Sequence, residues 1–303
     1  MPPEEQRQTP PVCDYEGSDY QSTFWDQADR QYEDKVEEIA LRRLLPPQGD
    51  LLLETGAGAG RNTPRYTGFK HVVVLDYSLS QIEQARRRLG ADPEYIFVVA
   101  DAYRLPFVAG LFDTSTMIRV IHHMSDAPLA LHTQHRVLAP GGTFILEFAN
   151  KRNIKSITRY LLRRQAWDPF SREPVEFAEL NFDFHPRAMR GWLEQAGFSI
   201  QEQLTVSHFR MALLKRLLPT SILVSMDSAI QRTGNLWQLT PSVFVRATAD
   251  KSGSPAQPGR FFACPECNSD LPGDPRDRIH EADITCASCG HLWEVREGIY
   301  IFK

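Results

Sequence analysis

At 303 residues, 42% of them hydrophobic and 24% charged, the chain is long enough for one large domain with a substantial core and a small one beside it. Its 34 basic against 38 acidic residues leave a formal net charge of −4, which excludes wholesale electrostatic capture of nucleic acid but not a local basic patch. No apolar run approaches the roughly 18 residues of a membrane span, and Met1-Pro2-Pro3-Glu4-Glu5 lacks the basic and apolar regions of a signal peptide, so a cytoplasmic location is expected.

Residues 1 to about 20, rich in Pro, Gln, Glu and Asp, read as loose. A helical pattern runs from about Phe24 to Leu45, where Pro46-Pro47 stops it; Tyr15, Tyr20, Phe24, Trp25 and Tyr32 crowd its start. Leu51-Leu52-Leu53 reads as a strand buried on both faces, as in a parallel sheet. It runs into Glu54-Thr55-Gly56-Ala57-Gly58-Ala59-Gly60, whose alternate glycines let the backbone approach a ligand closely. A helix opening just beyond would aim free N–H groups at that ligand. The dinucleotide pattern Gly-x-Gly-x-x-Gly needs a glycine at position 61, where the chain has Arg61. A second strand, His71 to Leu75, ends at Asp76, about 20 residues past the first glycine, where a carboxylate accepts hydrogen bonds from both hydroxyls of a ribose. Ser80-x-x-Glu83 looks like a capping box opening a helix with Leu79, Ile82, Ala85 and Leu89 on one face. Strands follow at Tyr95–Ala100, ending in Asp101-Ala102, at Thr114–Val120, ending in Ile121-His122-His123-Met124, and at Thr143–Phe148 after the turn Leu138-x-Pro140-Gly141-Gly142.

The pattern Glu54-x-Gly56-x-Gly58-x-Gly60 resembles the first motif of class I S-adenosylmethionine-dependent methyltransferases, and Asp76, Asp101-Ala102 and the Pro-Gly-Gly turn follow in that family's order. Residues 24–148, with a helix–strand continuation to 248, resemble its broad small-molecule branch. The resemblance implies an α/β, Rossmann-like fold: a seven-stranded, mostly parallel sheet with its last strand antiparallel and helices on both faces. It implies S-adenosylmethionine as cofactor, held by Glu54, Thr55, Gly56, Ala57, Gly58, Gly60, Asp76, Tyr77, Asp101, Ala102 and Arg119. The acid at position 101 takes the adenine amino group in that family, the following backbone N–H meets a ring nitrogen, and the N-terminal helix folds over the cofactor as a lid. His122 and His123 stand where cofactor and acceptor meet, and either is a candidate base because imidazole titrates near neutral pH. No Asn-Pro-Pro-Tyr tetrapeptide occurs, which counts against methylation of glutamine amides or adenine amines.

Two inserts depart from a minimal domain of residues 1–247. The first, about 151–184, opens with Lys151-Arg152-Asn153-Ile154-Lys155 and carries six basic and no acidic residues through Arg164. On a helix Arg152, Lys155, Arg159 and Arg163 share one face, which suits RNA, an anionic substrate, a membrane surface or plain solvation. A helix from Pro186 to the stop at Gly197 precedes strands Phe198–Val206 and Ser242–Ala247, and these bracket a second, apolar insert at about 208–240: a lid for a greasy substrate or extra core.

Residues 248–260 read as a linker, and 261–303 as a small module. Cys264-Pro265-Glu266-Cys267 and, 18 residues later, Cys286-Ala287-Ser288-Cys289 have the spacing of a four-thiolate structural zinc site, while Cys13 reads as a bystander. With His291 to Phe302 the module resembles the zinc-ribbon activators that pair with tRNA and translation-factor methyltransferases, in which the last strand docks on the catalytic subunit. Ile299-Tyr300-Ile301-Phe302 is therefore expected to dock on the larger domain, along a sheet edge or over an apolar face. The whole reads as an S-adenosylmethionine-dependent methyltransferase of a small, amphipathic or lipid-like molecule. The alternative is an RNA methyltransferase that uses the basic helix and a fused activator.

Overall fold

The computed structural model describes residues 10–14, 16, 17, 30–90, 92–277 and 282–303. Most of the N-terminal segment with its expected lid aromatics (Tyr15, Tyr20, Phe24 and Trp25) lies outside the described residues.

Helix α1 (Gln31–Leu44) leads to β1 (Gly49–Thr55), β2 (Phe69–Asp76), α2 (Leu79–Leu89), β3 (Tyr95–Ala100), β4 (Phe112–Met117), α3 (Ala127–Val137) and β5 (Leu138–Ala149). The first insert holds α4 (Ile154–Leu161) and a hairpin, β6 (Val175–Ala178) with β7 (Asn181–Asp183). Helix α5 (Pro186–Gln195) and β8 (Phe198–Val206) follow, then α6 (Ala212–Leu217) and α7 (Thr220–Ile230) of the second insert, and β9 (Ser242–Ala249). The tail contributes β10 (Ile284–Thr285), β11 (Leu292–Arg296) and β12 (Ile299–Phe302).

The strand order is β10-β11-β12-β3-β2-β1-β4-β5-β9-β8. Its central part, β3-β2-β1-β4-β5, is parallel, and β9 runs antiparallel to both β5 and β8. This is the seven-stranded sheet that the resemblance implies. Both faces are covered because the strand residues alternate. Leu51 and Leu53 join α3 and α5 in one core, while Leu52 joins Val36, Ala40 and Leu44 of α1 and Ile82 of α2 in the other.

The tail continues that sheet. β12 lies parallel to β3, with Ile299 opposite Phe97 and Phe302 opposite Ala100, so docking takes the sheet edge and brings the total to ten strands. Tyr300 and Phe302 enter the first core, and Ile299 and Ile301 the second. Phe262 seals the junction, its ring 5.9 Å from Phe107 and within 5 Å of Phe261, Tyr300 and Phe302.

Three local expectations are corrected. α2 is capped by Ser78, whose hydroxyl accepts from the Gln81 N–H, because Asp76 Oδ1 holds the Ser78 N–H and sets the helix start two residues before Ser80. Tyr32 is no lid: its hydroxyl donates to the buried Asp227 carboxylate of α7 at 2.6 Å, tying α1 to the second insert. Lys151 is no part of a basic surface. It is fully buried, donating to Glu173 O and Ser171 Oγ, and so props the first insert from inside.

Candidate active site

The chain runs outward from β1 through β2 to β3, then returns to lay β4 and β5 on the other side of β1. Ligands of such sheets bind outside the strand C-termini at this switch point. Here a cavity opens there, and its wall draws on the ends of β1, β2, β3 and β4: Gly56, Ala57 and Gly58; Asp76 and Tyr77; Asp101 and Ala102; Arg119 and His123.

The glycines have separate duties. Gly56 has φ +72°, and a Cβ there would stand 2.1 Å from Val120 Cγ2. A Cβ on Gly58 would meet nothing nearer than Gln81 Oε1 at 3.9 Å, so its backbone stays bare towards the cavity. Gly60 is not in the wall; its missing side chain leaves room for Ala85 and Leu89 of α2. Asp76 accepts from the Gly58 N–H at 2.8 Å and the Ser78 N–H at 3.0 Å, so the second strand end fixes the glycine turn at the first. Asp101 Oδ1 likewise accepts from Tyr103 N–H. Burial raises the pKa of both carboxyls.

Glu54 and Thr55, which the resemblance puts on the cofactor, are not in the cavity wall. Successive strand residues point to opposite faces, and both side chains are consumed by neighbours. Glu54 accepts from Thr63 Oγ1 and from Tyr66 Oη at 3.1 Å, and Thr55 Oγ1 accepts from Gln134 Nε2. Burial pushes the Glu54 carboxyl up to about 7 in spite of those hydrogen bonds.

Arg119 sits just past β4 with φ +61°, a left-handed conformation that costs a non-glycine residue energy and recurs at functional sites. Glu147 Oε2 accepts its N–H, and Glu37 of α1 takes its guanidinium, Nε to Oε1 at 2.9 Å. Burial opposes ionisation of Glu37, but Arg119 and Arg61 overcome it and hold that carboxyl below the ordinary range. His123 is in the cavity wall; His122, its ring 4.1 Å away, is not, and its Nδ1 is buried without a hydrogen-bond partner. Burial lowers both pKa values, so both rings are neutral at pH 7. His123 Nδ1 lies 3.1 Å from Leu180 O, so a proton held there leaves Nε2 as the basic atom.

Sequence reasoning missed Val12, Cys13, Asn62 and Gln81, all in the wall. Cys13 stands apart from the tail's four thiols, as expected, but lines this cavity, and no local pattern around it gave a signal. Asp183 was missed as well: it is a half-buried acid of β7 whose carboxyl burial pushes up to about 6.

In the tail the Sγ atoms of Cys264, Cys267, Cys286 and Cys289 all lie within 4.8 Å of one another. The Cys264–Cys289 and Cys267–Cys286 distances are 3.8 and 3.5 Å. A tetrahedron of thiolates at ~2.3 Å from a zinc ion has edges of about 3.8 Å, so the donor set fits that metal and is far too open for disulfides.

Comparison with known proteins agrees with this geometry. A family model described as a methyltransferase domain matches residues 53–146. Demethylmenaquinone methyltransferase of Clavibacter sepedonicus is 34% identical over 106 residues, 35% of this chain and 43% of that protein. The 27-O-demethylrifamycin SV methyltransferase of Amycolatopsis mediterranei is 31% identical over 138 residues, 43% and 51% of the two chains. The chain thus spans about half the length of these curated relatives. Among solved structures, one chain of a complex between the Haloferax volcanii Trm112 methyltransferase activator and a methyltransferase superposes with a TM-score of 0.53 at 17% identity, over 77% of this chain and 96% of that one. At that identity the likeness speaks for the fold alone.

Proposed function

We propose that this chain, which carries a methyltransferase domain over residues 53–146, transfers a methyl group from S-adenosylmethionine to a small or amphipathic acceptor. The observation that carries the reading is one cavity walled by a bare glycine turn and by the acids that end the next two strands. Asp76 would hold the ribose hydroxyls, Asp101 and Ala102 the adenine edge, and the glycine turn from Gly56 to Gly58 the amino-acid portion. Arg119 closes the floor, held by Glu37 and Glu147.

When bound, the cofactor supplies a methyl group on a sulfonium that an acceptor atom displaces in line. The protein's task is then to position and desolvate, an effect worth roughly 7–11 kcal/mol when geometry is good. If the acceptor atom carries a proton, His123 is the residue placed to take it, since its ring lines the cavity and is neutral. His122 packs its ring against it at 4.1 Å. The relatives named for demethylmenaquinone and for a rifamycin support a small-molecule acceptor. Exposed Ile154, Leu161 and Leu162 interleave with the cations of α4 and its exit, which suits an amphipathic molecule better than RNA. The four thiols we assign to a structural zinc.

Calorimetry with S-adenosylhomocysteine tests the reading. Asp76→Ala should weaken binding by about 1.5–3 kcal/mol, the scale of a hydrogen bond to a charged group. His123→Gln should bind it as the unaltered chain does while methyl transfer to a proton-losing acceptor falls by roughly 10²–10⁴. Unchanged affinity in Asp76→Ala would remove the site from this cavity.

A further inference from the structure

We infer that the acceptor is an anionic amphiphile, bound as a single molecule with its charged group among Lys155, Arg159, Arg164 and Arg210 and its apolar part between α4 and α6. The inference rests on the methyl-transfer reading above.

Two adjoining hollows carry it. One, of about 630 Å³, is walled by those four cations and by Trp167 and Phe177, with Asp183 as its one carboxylate. The other, about 1350 Å³, shares the same four cations and adds Ile154, Leu162, Met211, Leu213, Ile230 and Trp237. The shared cations thus stand on the boundary between a polar and an apolar space, the arrangement that matches a molecule with one charged end.

Neither half is fully satisfied by the protein itself. Among the described residues no carboxylate pairs with Lys155, Arg159 or Arg164, whereas Arg210 reaches Glu33 at 3.4 Å. On the apolar side Ile154, Leu162, Met211 and Leu213 are each 59–63% exposed, far more than a core would leave and close enough together to form a patch. Ser207 adds an independent sign. It lies in the wall of the larger hollow with φ +67°, and its hydroxyl is buried without a hydrogen-bond partner.

Helix α1 links the site to the cofactor cavity. Glu33 and Glu37 sit one turn apart on α1, about 6 Å along its axis. Glu37 grips Arg119 in the cofactor cavity, and Glu33 grips Arg210 at the hollows and Lys215 beside it. Arg119 in turn lowers the pKa of Arg210, after burial, so the two guanidiniums feel one another. An acceptor whose charged group meets Arg210 would therefore sit on the side of α1 that also holds Arg119 in the cofactor cavity.

The test is a titration of the full chain, followed by calorimetry, with decyl phosphate below its micellar concentration, decyl maltoside and inorganic phosphate. One saturable site for decyl phosphate, at least about tenfold tighter than for either of the others, is expected. Arg159→Glu and Leu213→Asp both lie on the surface, where folding tolerates change, and each should weaken that binding by about tenfold or more. Both should leave S-adenosylhomocysteine affinity unchanged. Equal binding of the neutral and anionic amphiphiles, binding of inorganic phosphate as tight as of decyl phosphate, or binding only to phosphatidylglycerol vesicles and not to monomers would overturn the inference. Loss of S-adenosylhomocysteine binding by the unaltered chain would instead overturn the methyl-transfer reading.

Discussion

Glu54 ends β1 beneath the glycine turn, with both oxygens engaged by Thr63 and Tyr66. Burial lifts its carboxyl from an ordinary 4.5 to about 7, so the folded chain binds that proton more tightly than the unfolded chain does. Its contribution to stability is thus full below pH ~4.5 and is lost as pH rises to about 7, at up to ~1.4 kcal/mol per pH unit. Glu54→Gln has no proton to lose. Thermal melts from roughly pH 5 to pH 7 should show the unaltered chain losing stability relative to the variant, and parallel curves would show that Glu54 is ionised throughout. The acid at this position is legible in the sequence, but its direction is not. A strand end presents two faces, and only the packed neighbours Thr63 and Tyr66 decide which one Glu54 takes. For Asp76 and Asp101 the strand ends sufficed to place the side chains, because each stands where its strand meets the cavity.

β12 shows what an apolar run can and cannot tell. Ile299, Tyr300, Ile301 and Phe302 are all buried, about 1.5–3 kcal/mol each before ordering costs, and the two Cys-x-x-Cys knuckles alone could not cover them. That argument predicts docking but cannot choose between edge and face. The choice falls to β3, whose outer side is a free parallel edge, and to Phe107 and Phe112, which receive Phe261 and Phe262 from the tail. The helix cap was harder to read: Ser78-x-x-Gln81 and Ser80-x-x-Glu83 both fit a capping box, and the Asp76 carboxylate that holds the Ser78 N–H selects the first. Phe262 is fully buried at the centre of the aromatic seam. Phe262→Ala should cost about 3–5 kcal/mol in chemical denaturation of the full chain. A loss under ~1 kcal/mol would mean the tail contributes little to the fold.

For the whole molecule, the tail and the strand-end cavity share one sheet. Lys303 Nζ donates to Tyr77 O at 3.1 Å, Glu266 meets Arg104 at 3.4 Å, and β12 flanks the strand that carries Asp101. If the thiols hold zinc, its removal releases folding energy from the tail and uncovers β3. Cys286→Ser should therefore lose one bound zinc per chain, lower the melting temperature and weaken S-adenosylhomocysteine binding together. Full zinc content in that variant would contradict the assignment of the metal site, and lost zinc with unchanged cofactor affinity would contradict the coupling.

The central claim is that the cavity at the strand ends holds S-adenosylmethionine and not a nicotinamide dinucleotide, given Arg61 where the dinucleotide pattern has its third glycine and the acids Asp76 and Asp101 in the wall. Paired calorimetric titrations with S-adenosylhomocysteine and NAD address it directly. One saturable site for S-adenosylhomocysteine and none for NAD is the predicted result, and binding of NAD without S-adenosylhomocysteine would contradict it.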